Sequence, residues 1–344
     1  MERALSITAN CLDADRDLDD DALMKRLTRV VAFLLVTLLL VVGIFVTAVR
    51  HVPWTVPETE RGPASLRAPV DGGLSLRYLG VSGYEISDGT TVVLLDPTPT
   101  RPPPLALITG PLEPDEALGA KECPRADLLL VNHTHHDHAL DVPAIAKRTG
   151  ALVVGSQSTV NLALSRGIPQ SQTRVVKAGD SLTVGAFTIQ VGRSRHTTIA
   201  GIEQPMDGLV KPDAGKLWFW QYALDETLFY RLEAHGTSVW WHPTSTWAEN
   251  EIAPDGPGAG TLIVGVTGEP QTVEKARGLL GAVRPKLVLP THYDNFFQPW
   301  EKGLALMPGL DLPKAREAFE RVDAGISWAV LDQGERITLP PDVR

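Results

Sequence analysis

Cysteine is scarce in this chain: Cys11 and Cys123 are the two in 344 residues. Two thiols exclude a disulfide framework. Cys123, in Glu122-Cys123-Pro124, has no neighbour that favours a thiolate, so an inert role is expected. Basic charge is also short, with 32 Lys and Arg against 41 Asp and Glu and a net charge of -9. That balance argues against a nucleic-acid partner, which needs a cationic patch to neutralise phosphates. There is no phosphate loop, no dinucleotide fingerprint and no fixed-period repeat. Gly80-Val81-Ser82-Gly83-Tyr84 is not a nucleophile elbow, because the last glycine is missing. With 43% hydrophobic and 21% charged residues, the chain is neither collagen-like, nor a disordered acidic tail, nor a multi-span transporter.

One long apolar run is present. Val30–Val49 is 20 residues without a charge, which at ~1.5 Å per helical residue spans about 30 Å, the hydrocarbon thickness of a bilayer. The segment separates Cys11 from Cys123, so these two are not expected to pair. Lys25, Arg26 and Arg29 precede it and Arg50 follows. That bias predicts a cytoplasmic tail at 1–29, a single-pass helix at 30–49 and an extracytoplasmic remainder. Cleavage near Val46-Thr47-Ala48 is the competing reading. Residues 50–72, with Pro53, Pro57, Pro63 and Pro69, read as an extended linker.

From residue 73 to 341 one domain is expected. Leu74–Leu79, Thr91–Leu95, Asp127–Val131, Ala151–Val154, Phe187–Val191, Thr227–Leu232, Thr261–Val266 and Lys286–Leu289 read as strands. Asp141–Arg148, with Asp141 as N-cap, Ser158–Ser165, Glu269–Leu280 and Pro313–Val322 read as helices. Strands in runs with helices interspersed suggest an α/β fold of two sheets with helices outside. Pro97–Pro124 and Thr197–Gly215 fit no pattern, and loops of that length are often lids or binding loops.

The chemistry concentrates after the strand Asp127–Val131, in His133-Thr134-His135-His136-Asp137-His138. Four histidines and an aspartate in six residues are not core packing, because burying so many unpaired polar groups costs several kcal/mol. Imidazole and carboxylate together suit zinc and neighbouring transition metals. His133 and His135 are two apart, so an extended backbone points both to one side, and Asp137 and His138 can turn toward a second position.

His-x-His-x-Asp-His after a strand resembles the signature of the metallo-β-lactamase-fold hydrolases. Leu94-Leu95-Asp96-Pro97, Ser194-Arg195-His196-Thr197 and Pro290-Thr291-His292-Tyr293-Asp294 are similar to that family's other motifs, and the resemblance covers roughly residues 74–340. It implies an αββα four-layer sandwich. It implies one metal on His133, His135 and His196, and a second on Asp137, His138 and His292. Asp96 would support the site from behind, and His136 would point away.

The chain departs from that pattern at one place. Where binuclear members carry a bridging aspartate, the segment from Val239 to Trp247 has no carboxylate. Thr244 or Ser245 takes the slot, so one zinc is expected to bind firmly and a second more weakly. His242 is either a substitute ligand or a buried histidine beside aromatics, and His51 and His235 are expected to be silent.

The resemblance implies a metal-dependent hydrolase, and the apolar run at 30–49 makes it a membrane-anchored one. A zinc-activated water would attack an ester, lactone, amide or phosphodiester of a small molecule or lipid, with Asp137 orienting it or moving its proton. The alternative is a non-hydrolytic metal-binding module for binding or assembly, which the missing carboxylate favours. A redox di-iron site needs that bridge even more. Trp218, Phe219, Trp220, Trp240, Trp241, Trp247, Phe296, Phe297 and Trp300 flank the motifs, either as packing or as an apolar wall for an acyl chain.

Overall fold

The computed structural model describes residues 24–44, 47, 55–68, 72–198, 202–203, 205–246 and 259–342. Cys11, His51, Trp247, the tail before residue 24 and most of 45–54 lie outside the described residues.

Helix α1 (Met24–Ile44) is 21 residues long, unburied, and long and apolar enough to cross a membrane. It begins before the uncharged run, because Met24, Lys25, Arg26 and Leu27 are good helix formers and extend it through the basic flank.

The unit from Pro53 onward has its own core. Its first sheet is built from β1 (Leu74–Gly80), β2 (Gly83–Ser87), β3 (Val92–Leu95), β4 (Leu128–Leu130), β5 (Leu152–Gly155) and β6 (Thr173–Val175), and is completed by the chain's last strand. The second sheet contains β7 (Ser181–Val184), β8 (Phe187–Ser194), β9 (Thr227–Ala234), β10 (Thr237–His242), β11 (Thr261–Gly265), β12 (Leu287–Thr291) and β13 (Ser327–Trp328). The last strand, β14 (Arg336–Leu339), returns to the first sheet beside β1, so the sheet orders are 14-1-2-3-4-5-6 and 13-12-11-10-9-8-7.

Alternation along the strands creates the layers. Val93, Leu95, Leu128, Leu130 and Val154 face the second sheet's Ile189, Tyr230, Leu232 and Trp241 in one core. Leu94, Leu129 and Val153 face the other way, into a second core with Val142, Ile145, Leu162 and Ala163. Those partners come from helices α5 (Val142–Thr149) and α6 (Gln157–Ser165). On the far side, α7 (Val273–Val283) and α8 (Leu312–Glu320) cover the second sheet with Leu279, Val283, Leu312 and Phe319. The fold is the expected sandwich of two mixed sheets between helices.

Several local expectations change. β2 went unread because its strand starts on Gly83, straight after the turn at Val81-Ser82. The helix expected from Glu269 starts at Val273, where the Thr272 side chain accepts from Lys275 N. Asp141 precedes α5 but makes no side-chain cap. Its two oxygens are taken instead by Thr100 N at 3.1 Å and Thr100 Oγ1 at 2.5 Å. The unassigned Pro97–Pro124 holds two short helices, α2 (Ala106–Thr109) and α3 (Glu116–Glu122). The described part of the Pro-rich stretch is docked on the domain: Val56 and Glu60 are buried, and Val330 N donates to Glu60 O.

Candidate metal centre

Strand ends from both sheets deliver the site. β3 and β4 run parallel with Leu95 beside Leu130, so Asp96 and Asn132 emerge together, and Asp96 Oδ1 accepts from Asn132 N at 2.8 Å. The chain stays extended through His135 and then turns into a short helix, α4 (His136–Ala139). That switch sends Asp137 and His138 to a different spot from His133 and His135. His196 lies two residues past β8 and His292 one residue past β12.

Ligand-type atoms form two groups, each within 4.8 Å: His133, His135 and His196, and Asp137, His138 and His292. In the first group the ring centroids are 4.5 to 4.8 Å apart, and each ring has one nitrogen committed to an oxygen. His196 Nδ1 faces Thr197 O at 2.6 Å, and His135 Nε2 faces Pro205 O at 3.0 Å. A carbonyl only accepts, so both nitrogens carry the proton. Asn132 Nδ2 donates to Leu228 O, which turns Asn132 Oδ1 toward His133 Nδ1 at 2.5 Å. His133 Nδ1 is therefore a donor as well. The remaining nitrogens, Nε2 of His133, Nδ1 of His135 and Nε2 of His196, keep their lone pairs.

Electrostatics favour the same state. Burial, then the neighbouring histidines, hold His133 well below its ordinary range. Burial brings His135 to about 3 and His196 to about 4. Neutral imidazole is the metal-ligating form.

In the second group, His138 Nδ1 donates to Asp96 Oδ2 at 2.5 Å, and Ser82 Oγ donates to the same oxygen at 2.8 Å. Burial opposes the Asp137 carboxylate, but His138 and the hydrogen bond from His292 outweigh it and hold Asp137 well below the usual carboxylate range. His292 Nε2 is 3.2 Å from Asp137 Oδ2. His292 has a φ of 57°, a left-handed conformation held by its N–H to Val81 O at 2.6 Å and by Thr267 Oγ1 donating to its carbonyl.

The residues fit a metal. His133 Nε2, the nitrogen left with a lone pair, is buried without a partner, and an unpaired buried acceptor is costly unless something binds it. The three-histidine donor set suits zinc or another transition metal.

Thr244 and Ser245 have different settings. Thr244 lines the cavity over the histidines, and its Oγ1 contacts Ser194 Oγ at 2.9 Å. Ser245 Oγ is turned to Thr197 Oγ1 at 2.9 Å. His242 is buried, with Nε2 3.0 Å from Ser194 Oγ and its ring 5.1 Å from that of Phe229. It belongs to neither ligand group, as befits a buried histidine beside aromatics. His136 belongs to neither ligand group, but it does not turn away from them: it lines the same cavity, with Nδ1 3.9 Å from Asp137 Oδ1. It is 8% exposed and sits edge-on to Phe219, Tyr222 and Phe296.

The cavity above the two groups has a volume of about 340 Å³, with Leu107, Met206, Phe219, Phe296, Phe297 and Met307 among its walls. The aromatic expectation therefore divides. Phe219, Phe296 and Phe297 wall the cavity, whereas Trp240, Trp241 and Trp300 are buried.

Three supporting residues had no role in the sequence reading. Asn132 sets the tautomer of His133. Asp294, although quoted in the last motif, was given no task; Asp294 Oδ1 accepts from Val81 N at 2.7 Å and Tyr78 OH at 2.9 Å. Arg101 pairs with Asp294 Oδ2 at 3.0 Å, both side chains being 3% exposed. Only Asn132 and Asp294 carried a signal, their place beside the ligand motifs; Arg101 lay in a stretch that fitted no pattern.

Comparison with known proteins gives this arrangement a lineage. Residues 75–292 match the family model described as beta-lactamase superfamily domain. The chain belongs to that superfamily. A UPF0173 metal-dependent hydrolase of Pyrobaculum arsenaticum is 27% identical over 226 residues, covering 65% of this chain and 85% of its own. One from Cupriavidus necator is 24% identical over 280 residues, covering 78% and 88%. Among solved structures, Igni18, a metallo hydrolase of Ignicoccus hospitalis, superposes with a TM-score of 0.51 at 19% identity, covering 78% of this chain and 98% of its own. The superfamily member described here is a metal-dependent hydrolase in outline, with the metallo-β-lactamase fold.

Proposed function

We propose that this chain is a membrane-anchored hydrolase that acts on an ester, lactone, amide or phosphodiester with a substantial apolar part. His133, His135 and His196 hold one metal, zinc by the chemistry of the set, and Asp137, His138 and His292 form a weaker second position. The observation that carries the reading is the tautomer pattern. Three buried histidines each have one nitrogen committed to a fixed oxygen and one lone pair left for a shared point. When bound, such a metal supplies a water-derived nucleophile near neutral pH and polarises the oxygen under attack.

The chain's own residues do the rest. While the second position is empty, Asp137, kept ionised by His138 and His292 against its burial, orients the attacking water or takes its proton and returns it to the leaving group; with the second position filled, Asp137 is a ligand. Asp96 fixes the ring of His138 through Nδ1, so that Nε2 faces the site. Phe219, Phe296 and Phe297 exclude bulk water and contact the apolar part of the substrate. Helix α1 supplies the anchor, and the basic residues before it favour a domain outside the cytoplasm.

The test pairs elemental analysis of the purified chain with turnover of an ester, lactone and phosphodiester panel before and after chelation. His196→Ala is expected to lose the firmly bound metal and, with it, at least ~100-fold of the activity. Full metal retention in that variant would remove His196 from the site. Metal-replete protein inert on the whole panel would return the choice to a non-hydrolytic module.

A further inference from the structure

Outside α1, six large apolar side chains are exposed among the described residues: Leu105, Ile108, Val175, Ile202, Leu209 and Trp220. Five of them fall on two segments, 105–112 and 202–222, and these same segments wall the metal cavity through Leu107, Met206 and Phe219. Neither segment is loose. Leu112, Val210, Leu217 and Tyr222 are buried in the core under the first sheet, and Leu112 N donates to Leu217 O at 2.8 Å, tying one segment to the other. The inward positions are rooted, while Leu105, Ile108, Ile202, Leu209 and Trp220 are held out in water on the segments that wall the cavity. Leu105 and Ile108, three apart in one helical turn, share a face, while Trp220 stacks 4.9 Å from Trp218. A cluster of exposed apolar residues of this kind marks an interaction surface.

We propose that this rim docks on a lipid bilayer, with Leu105, Ile108, Leu209 and Trp220 inserted into the interfacial layer, so that the cavity takes amphiphilic acyl substrates from that layer. Two features select a bilayer over a protein partner. The same chain carries a helix long and apolar enough to cross one, and tryptophan with aliphatic neighbours is the composition of the water–lipid interface. The second segment has no basic excess, with Lys211 and Lys216 against Glu203, Asp207 and Asp213, so docking proceeds by apolar insertion and needs no anionic lipid. The substrate class rests on the hydrolase reading above; the docking surface does not.

The full chain is reconstituted into phosphatidylcholine vesicles. Nitroxide labels are placed through Leu105→Cys, Ile108→Cys, Trp220→Cys and, as a control away from the rim, Val175→Cys, each with Cys11→Ser. Molecular oxygen partitions into lipid and a nickel chelate stays in water. At the three rim positions, relaxation by oxygen is expected to exceed relaxation by the chelate several-fold, at a depth of roughly 5–10 Å, with the reverse at Val175. Rim labels as open to the chelate as Val175 would overturn the docking. Labels shielded from both agents would also overturn it, because they would report a protein, such as a second copy, on the rim. Spectra are taken before a carbonate wash, so docking is decided in either case. Release of the chain by the wash overturns the anchored reading, whereas retention with a wet rim overturns the docking alone.

Discussion

The proposed weaker second metal position turns on Thr244. Thr244, and not Ser245, lines the cavity with the histidines, which makes it the candidate for the slot where a shared carboxylate was expected, and a hydroxyl brings no negative charge there. Asp137 is then the single anionic side chain among the six ligand-type residues. The attraction for a second dication is reduced while repulsion by the first is unrelieved. In a competitive zinc titration, the wild type is expected to hold one zinc tightly and release the second on dialysis. Thr244→Asp should tighten the second site, whereas Ser245→Asp should not, because Ser245 is turned to Thr197. Two equally tight zincs in the wild type would end the weak-second-site reading. Residue chemistry here was legible in part. The ligand histidines announce themselves by number and spacing, but the choice between Thr244 and Ser245 depends on which hydroxyl faces the cavity, and neighbours in sequence with the same functional group leave no trace of that.

Asp141 shows how elements are held around the site. It lies between α4 and α5, is buried, and binds Thr100 from the segment before α2. Burial raises its carboxyl to about 7, against the hydrogen bonds of Thr100. The unfolded chain ionises near the ordinary aspartate value of 3.8, so the folded state binds the proton more tightly. Its contribution to stability is full below about pH 4 and is lost as pH rises toward 7. Asp141→Asn, neutral throughout, removes that slope. Between pH 5 and 8 the stability of the wild type should fall relative to the variant by about 2–3 kcal/mol, read from urea midpoints; parallel curves would disprove the shift. Sequence pattern placed Asp141 as a helix cap because aspartate before Val-Pro is a common cap. It could not register that Thr100, 41 positions away, competes for both oxygens.

At the scale of the whole molecule, an apolar helix and a catalytic domain lie on one chain, and the charge asymmetry around the helix sets the expected topology. Protease added to intact cells with a permeabilised outer barrier should digest the part after residue 50. A protected domain would reverse the orientation. Carbonate-resistant membrane association is the companion measurement, and a chain found in the soluble fraction would argue for cleavage near Val46-Thr47-Ala48.

The sequence alone determined what is local or periodic. The β-branched, apolar run Thr91–Leu95 specifies a strand, 20 uncharged residues specify a membrane-length helix, and a dense run of histidines after a strand specifies metal chemistry, because each is a property of neighbours along the chain. What only the tertiary structure decided are the relations between distant segments. The turn at Val81-Ser82 reaches Asp294 and Asp96. His135 takes its tautomer from Pro205, and the 105–112 and 202–222 segments join into one apolar rim. Each joins residues 14 to more than 200 positions apart, through hydrogen bonds and burial that depend on how two sheets pack, and no spacing in the sequence encodes that packing.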